Sequence, residues 1–251
     1  MSNASDSSSV PPDREELVIS AMRRLRHRPR DPNAMQALAI RFLASGRLEH
    51  GINLLERSSL RRPLDATHRI ELAIAYGRTG RETLAIDLLM LEATESNLVT
   101  EEMLRVAVGL NAFGRPKLAM EACRRAGVAS PESANVYLLM ARLAYQSEYP
   151  RQTVEALFRR AIDLEPKTLN YRLALVTHLM RWGDDQSAAA LMNSVSVAEL
   201  RGIENVCHVE RLAELFHRVS DAGMYRVCLE RLKQLEQNDF HLLSPLLLGD
   251  T

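Results

Sequence analysis

Aromatic residues are scarce in this chain, 5% of 251 residues, and strands draw on aromatic and β-branched side chains. Leu, Ala, Arg and Glu abound instead, a balance that favours helices, so the expected class is all-α. Net charge is missing too. The 32 Lys and Arg balance 32 Asp and Glu, so no global field draws the molecule to nucleic acid or an anionic membrane, and neither is expected as a partner. Cysteine is rare: Cys123, Cys207 and Cys228 are odd in number and far apart, with no CxxC pair. That pattern argues against a disulfide framework or zinc ribbon and for a reducing, cytoplasmic setting. No stretch approaches the roughly 20 apolar residues of a membrane span, and the nearest, Leu242 to Leu248, is broken by Ser244 and Pro245. No membrane insertion is expected. The eleven glycines are scattered and form neither GxxxxGKS/T nor GxGxxG, so nucleotide binding is unsupported and no cofactor is expected.

What the chain does have is a period. Gly46-Arg47, Gly80-Arg81 and Gly114-Arg115 recur at a spacing of 34, and a fixed period of this size marks a repeat architecture. Upstream of each glycine lie Leu38, Ala39 and Phe42, then Leu72, Ala73 and Tyr76, then Val106, Ala107 and Leu110. Downstream lie Gly51 and Leu55, Ala85 and Leu89, Ala119 and Cys123. Apolar residues at intervals of three and four form one stripe on each of two helices, and glycine ends the first helix where positive φ is needed. The small residues Ala39, Ala73 and Ala107 face Gly51, Ala85 and Ala119 and let the two helices close. Pro63, Pro131 and Pro166 fall just past the second helices, which proline cannot continue.

This frame resembles the tetratricopeptide repeat family, and the stretch Phe158 to Pro166 is similar to the end of the family's second helix almost residue for residue. The family's tryptophan is absent, with Met35 and Arg69 at its place. The resemblance implies an all-α, right-handed superhelical solenoid of about six hairpins over residues 31–237. The hairpins are expected at 32–63, 66–97, 100–131, 132–166, 169–195 and 206–237, the last two separated by an insertion at 196–205. The fourth has extra residues at its turn near Tyr149-Pro150, the fifth turns through Gly183 and the sixth through Gly223. Residues 1–12 read as a disordered leader and 13–30 as a basic capping helix opened by Asp13 and Glu16 in capping-box spacing. Residues 238–251 read as an apolar cap on the last hairpin, or as a segment docking in this chain's groove or a neighbour's.

In that family the first helix of each pair lines the concave face, where the resemblance places peptide ligands. The inner positions are then those three before and one after the small alanine: Gln36 and Ile40, Ile70 and Ile74, Leu104 and Val108, Leu138 and Arg142, Leu173 and Thr177. Further along each helix come Leu43, Arg78, Asn111, Tyr145, Met180 and Arg181. Relatives that clamp the acidic tail of heat-shock chaperones carry Lys and Asn at the first inner pair. Here Gln36 and Ile40 stand there, which argues against such a clamp. Five of the first six inner places are apolar, which suits a segment with apolar anchors, with Arg78, Arg142 and Arg181 placed to orient an acidic flank. A register one residue off would instead put the apolar stripe into ordinary hairpin core.

Candidate chemistry is thin. His208-Val209-Glu210 has the H-x-E spacing of zinc deaminases but no Pro-Cys-x-x-Cys follows. Cys207, His208, His217 and Cys228 cluster in sequence, yet adjacent Cys207 and His208 diverge on a helix, so no metal is expected. Cys123 and Cys228 read as buried packing residues. The basic run Arg23 to Arg30 reads as a solvated helix face whose cations favour the helix C-terminus, or as a contact for phosphates or an acidic protein. The expected function is a non-catalytic scaffold or adaptor for another protein or peptide. A secretion- or assembly-type chaperone and a self-assembling homo-oligomer are the alternatives.

Overall fold

The computed structural model describes residues 14–94 and 98–247, and side chains at 16, 18–94 and 98–237. The described residues form fourteen α-helices and no strand. α1 (Arg14–His27) precedes the helix pairs α2 (Pro32–Ala44) and α3 (Leu48–Ser59), α4 (Ala66–Arg78) and α5 (Glu82–Thr94), and α6 (Thr100–Ala112) and α7 (Pro116–Ala129). Then come α8 (Ala134–Gln146) and α9 (Arg151–Leu164), α10 (Leu169–Arg181) and α11 (Asp185–Met192), the short α12 (Val197–Arg201), and α13 (Val206–Arg218) and α14 (Ala222–Leu247). The all-α hairpin repeat expected from the 34-residue spacing is therefore present. The chain divides into two compact units, Met1–Glu132 with Gln146–Glu148, and Ser133–Tyr145 with Tyr149–Thr251.

One backbone device closes all six hairpins. The residue opening each second helix donates its N–H to the carbonyl five residues back: Arg47 to Phe42, Arg81 to Tyr76, Arg115 to Leu110, Tyr149 to Ala144, Asp184 to Leu179 and Asp221 to Phe216, at 2.8–2.9 Å. This Schellman closure needs a left-handed residue just before the donor. Gly46, Gly80, Gly114 and Gly183 supply it with φ of 67–80°. In the sixth hairpin Ser220 takes that place with φ 60°, and Gly223 lies inside α14. The expected turn through Gly223 is thus corrected by three residues, because the hydrogen-bond pattern selects the position whatever residue stands there. Glu148 holds it in the fourth hairpin with φ 55°. A side chain in this region costs about 1–2 kcal/mol, partly offset by the extra chain entropy glycine loses on folding. Glu148→Gly and Ser220→Gly are each expected to raise stability by about 0.5–1 kcal/mol in urea melts.

Within the first unit, Ala39, Ala73, Ala85, Ala107 and Ala119 are fully buried where paired helices meet. At Gly51 a Cβ would lie 2.4 Å from Leu43 Cδ2, so α2 and α3 approach more closely than alanine would allow. Leu43, Ile52, Leu55, Leu64 and Leu72 form a continuous core there. α1 covers one end of it, with Val18, Ala21 and Leu25 packed on Ala34, Leu38 and Phe42. In the second unit Ala134, Ala161 and Tyr171 pack with Tyr137, Leu138 and Ile162, and Phe158 is fully buried. The insertion is an ordered element: Ser196 and Glu199 form a capping box, Leu200 and Ile203 are buried, and Arg231 Nε of α14 donates to the Ile203 carbonyl at 2.9 Å. α14 runs on to Leu247 as one helix. The expected leader, the Asp13 cap and the docking of the apolar tail lie outside the described residues or side chains.

Candidate functional site

Helical geometry sorts the expected groove residues. At about 100° per residue, the positions three before and four after the small alanine stand about 60° and 40° from it, near the buried face, whereas one and five after stand about 100° and 140° away. Half of the nearer set is core. Gln36, Leu43, Ile70, Leu173 and Met180 are buried, Ile70 completely. Apart from Leu43, which reaches a small recess, they do not line an open cleft as expected, because they turn toward the partner helices. Gln36 Nε2 donates to Ser58 Oγ of α3 at 3.0 Å, a buried polar bond that holds α2 to α3. Leu138 is half-buried against the Ala134–Ala161–Tyr171 cluster, and Leu104, Asn111 and Tyr145 are also half-buried. The farther set is open: Ile40, Ile74 and Thr177 are half-buried, Arg78, Arg142 and Arg181 are exposed, and Val108 is 54% exposed.

In the first unit these open positions converge. Ile74 and Arg78 of α4 meet Leu104 and Val108 of α6 around a cleft of about 550 Å³, floored by Gly77 and Gly109 and closed by Phe113. Gly77 makes the floor possible, since a Cβ there would lie 2.1 Å from Phe113 Cζ. A smaller recess of about 200 Å³ joins it through the same Ile74 and Arg78 and reaches Ile40 and Leu43 of α2. Polar groups rim the apolar floor: Arg78, Glu101 and Arg105 line the cleft, and Arg105 pairs with Glu71 at 2.5 Å. The roles of Gly77, Gly109 and Phe113 were not legible in sequence, although Gly77 in the last turn of α4 and Gly109 inside α6 put glycine within a helix, a signal of close approach.

A second apolar cleft, of about 520 Å³, was also missed. Pro63, Leu64, Leu72 and Tyr76 line it together with Leu84, Leu88 and Leu91 of α5. Its signal was present, since α5 reads ETLAIDLLMLEAT with apolar residues on every side, which ordinarily marks a fully covered helix. Leu84, Met90 and Leu91 are nonetheless 41–52% exposed.

In the second unit the open positions are cationic. Arg142 and Tyr145 of α8, Thr177, His178 and Arg181 of α10, and Arg211 of α13 share a neighbourhood. The His178 ring lies 4.3 Å from that of Tyr145 and edge-on to Phe158 at 4.7 Å, and the Arg181 guanidinium sits 5.7 Å over Tyr145. Arg211 Nη1 donates to Thr177 Oγ1 at 3.0 Å. His178 is buried, and neither ring nitrogen has a hydrogen-bond partner. Burial, then the charges of Arg181, Arg142 and Arg211, push its pKa down to about 4. The imidazole is neutral at physiological pH. His208, half-buried on α13, is held below its usual range by burial and by Arg211 and Arg142.

No three His, Cys, Asp or Glu side chains converge as a metal site among the described residues. Cys207 is exposed, Cys228 is buried, and the His217 ring lies 5.3 Å from Tyr225. Burial raises the thiol pKa of Cys123 to about 12 and that of Cys228 to about 11, so both rest as neutral packing groups. No described helix is long and apolar enough to cross a membrane.

Neither a protein-family model nor a curated protein sequence matches this chain. Solved structures do match it. The chain is similar to one from the APC/C hetero-tetramer Cut9–Hcn1, with 14% identity and a TM-score of 0.62 over 90% of this chain and 44% of that one. It is similar to PilF of Pseudomonas aeruginosa, with 15% identity and a TM-score of 0.61 over 89% and 94% of the two chains. It is likewise similar to MamA of Desulfovibrio magneticus RS-1, with 20% identity and a TM-score of 0.57 over 69% and 97%. This chain spans less than half the length of the Cut9–Hcn1 chain. Likeness at such identities concerns the fold alone, and that fold is a helical repeat of the kind found in tetratricopeptide-type structures.

Proposed function

We propose that this chain is a non-catalytic interaction scaffold that holds an apolar or amphipathic segment of a protein partner in the cleft between α4 and α6. The observation that carries the reading is Val108, more than half exposed beside Ile74 and Leu104 over a floor of glycine and phenylalanine. An apolar cleft of this size with a polar rim has the anatomy of a recognition site for side-chain anchors. Arg78 stands at its edge, free to meet a carboxylate flanking the anchors. The Cut9–Hcn1 structure is a hetero-tetramer, which supports a protein as the partner class. Free cysteines, two of them deeply packed, suit the reducing cytoplasm.

Selection of a displayed peptide library on the purified chain tests this. Enriched peptides are expected to carry apolar anchors and to bind Val108→Glu at least tenfold more weakly, since a carboxylate in an apolar cleft adds an unpaired charge. Val128→Glu, at an 85% exposed site on α7, is the control and should bind normally. Equal binding by both variants, or no apolar preference among the peptides, would sink the reading.

A further inference from the structure

The second unit carries a feature that the apolar cleft does not use. Arg142, Arg181 and Arg211 belong to three different first helices, and none is within ion-pairing distance of a described carboxylate, although other arginines of this unit are paired. Arg151 bonds Asp184, Arg159 bonds Glu155, Arg201 bonds Glu230, and Arg218 bonds Glu214 and Asp185. Two of the three unpaired guanidinium groups are held in place, and the charges of all three act on His178. Arg211 is fixed on Thr177 of α10, one residue from His178. Arg181 is one helical turn beyond Thr177 and lies over Tyr145, and Arg142 is one turn before Tyr145 on α8. The Tyr145 ring against which His178 packs joins α8 to α10. Like charges gathered on one face repel, and a guanidinium fork matches a carboxylate with two parallel hydrogen bonds.

We propose that Arg142, Arg181 and Arg211 form a carboxylate-binding site that takes an acidic segment of a protein partner. The proposal rests on the scaffold reading for its partner class but uses no residue of the α4–α6 cleft. Charge complementarity selects the occupant: three cations with no counter-ion call for Asp and Glu side chains. Bases are disfavoured because the local aromatics are engaged. Tyr145 lies between Arg181 and His178, and Trp182 is covered by Arg151 at 5.1 Å, so no open ring is left for stacking. An extended chain fits better than a small metabolite because Arg142 and Arg181 are exposed.

The test is fluorescence anisotropy of the full chain with a labelled peptide alternating Glu and Ala, beside its Gln and Ala counterpart. The Glu peptide is expected to bind, to weaken steeply from about 50 to about 300 mM salt, and to lose about tenfold in affinity with each of Arg142→Gln, Arg181→Gln and Arg211→Gln. Arg211→Lys keeps the charge without the fork and should fall between. Arg159→Gln, an exposed arginine of α9, should bind normally. Circular dichroism and melting temperature report folding, and Arg142 and Arg181, as surface residues, keep the test decisive if Arg211 variants are unstable. Equal binding of the Gln peptide, or equal loss with Arg159→Gln, overturns the proposal. Stronger competition by inorganic pyrophosphate or single-stranded oligonucleotide than by the Glu peptide overturns it in favour of a phosphate site. Val108→Glu separates the two readings: acidic binding that survives it stands even if the apolar cleft proves unused.

Discussion

Arg69→Ala is expected to destabilise the protein by about 3–5 kcal/mol, the cost of stranding a buried charge. The charge is that of Glu92 on α5, whose side chain is fully buried and accepts from Arg69 through Nε and, at 3.0 Å, through Nη2. Arg69 also donates to the Leu64 carbonyl at 2.6 Å, so its removal frees two acceptors at once. A pair of this kind stabilises little over a well-packed apolar alternative, because desolvation offsets the attraction. The chain contains that alternative. One period later the same two places are held by Met103 and Ala126, both buried. Arg69→Met with Glu92→Ala is therefore expected to recover most of the loss, and a urea-melt double-mutant cycle measures the coupling. If Arg69→Ala alone costs under about 1 kcal/mol, the pair behaves as a surface ion pair and its burial is without consequence.

Acid should weaken the second unit through His178. Its pKa is about 4 in the folded protein, against 6.5 for the free side chain. The unfolded chain therefore binds the proton first as pH falls. The stability associated with the neutral ring is fully present above about pH 6.5 and is lost as pH drops toward 4, a total on the order of 3 kcal/mol. The groups facing the ring sharpen the effect. Arg142, Arg181 and Arg211 oppose a fourth positive charge, while Tyr145, Phe158 and Trp182 surround the imidazole without accepting its proton. His178→Phe keeps an aromatic in the same packing and removes the titration. It is expected to be at least as stable as the native chain near neutrality and to lose less on acidification. Asp65, Asp184 and Glu199 have pKa values below the carboxylate range, so native and variant should decline together at still lower pH. Parallel curves from neutrality to about pH 4 would show that His178 takes up its proton without penalty.

Both effects concern places the sequence marked without explaining. Arg69 stands where the resembled family has tryptophan, and in one dimension an arginine there looks like simple divergence. Only the arrival of Glu92, 23 residues away in sequence, makes it a buried pair. Gln36 is the same kind of case in the first hairpin, where its partner is Ser58. Small deviations from the repeat frame were thus compensated across the hairpin, and a linear reading sees each half separately. The expected inner positions divide into open and buried ones for a geometric reason. Residues three before and one after the small alanine look equivalent in a list, yet their angles from the buried face differ by about 40°. That difference separates buried Ile70 from half-buried Ile74, and half-buried Leu104 from exposed Val108.

The sequence by itself determined the all-helical class, the 34-residue frame, the helix ends marked by Gly46, Gly80, Gly114 and Gly183, and the small residues that let paired helices close. These depend on interactions within a few residues or on a periodicity repeated often enough to read. Tertiary structure alone decided which open positions form a surface and what kind. It set Gly77 beneath Phe113 to floor an apolar cleft, and it brought the charges of Arg142, Arg181 and Arg211 from three helices to bear on His178. Such convergence depends on side-chain direction and on packing between helices tens of residues apart, which local pattern does not encode.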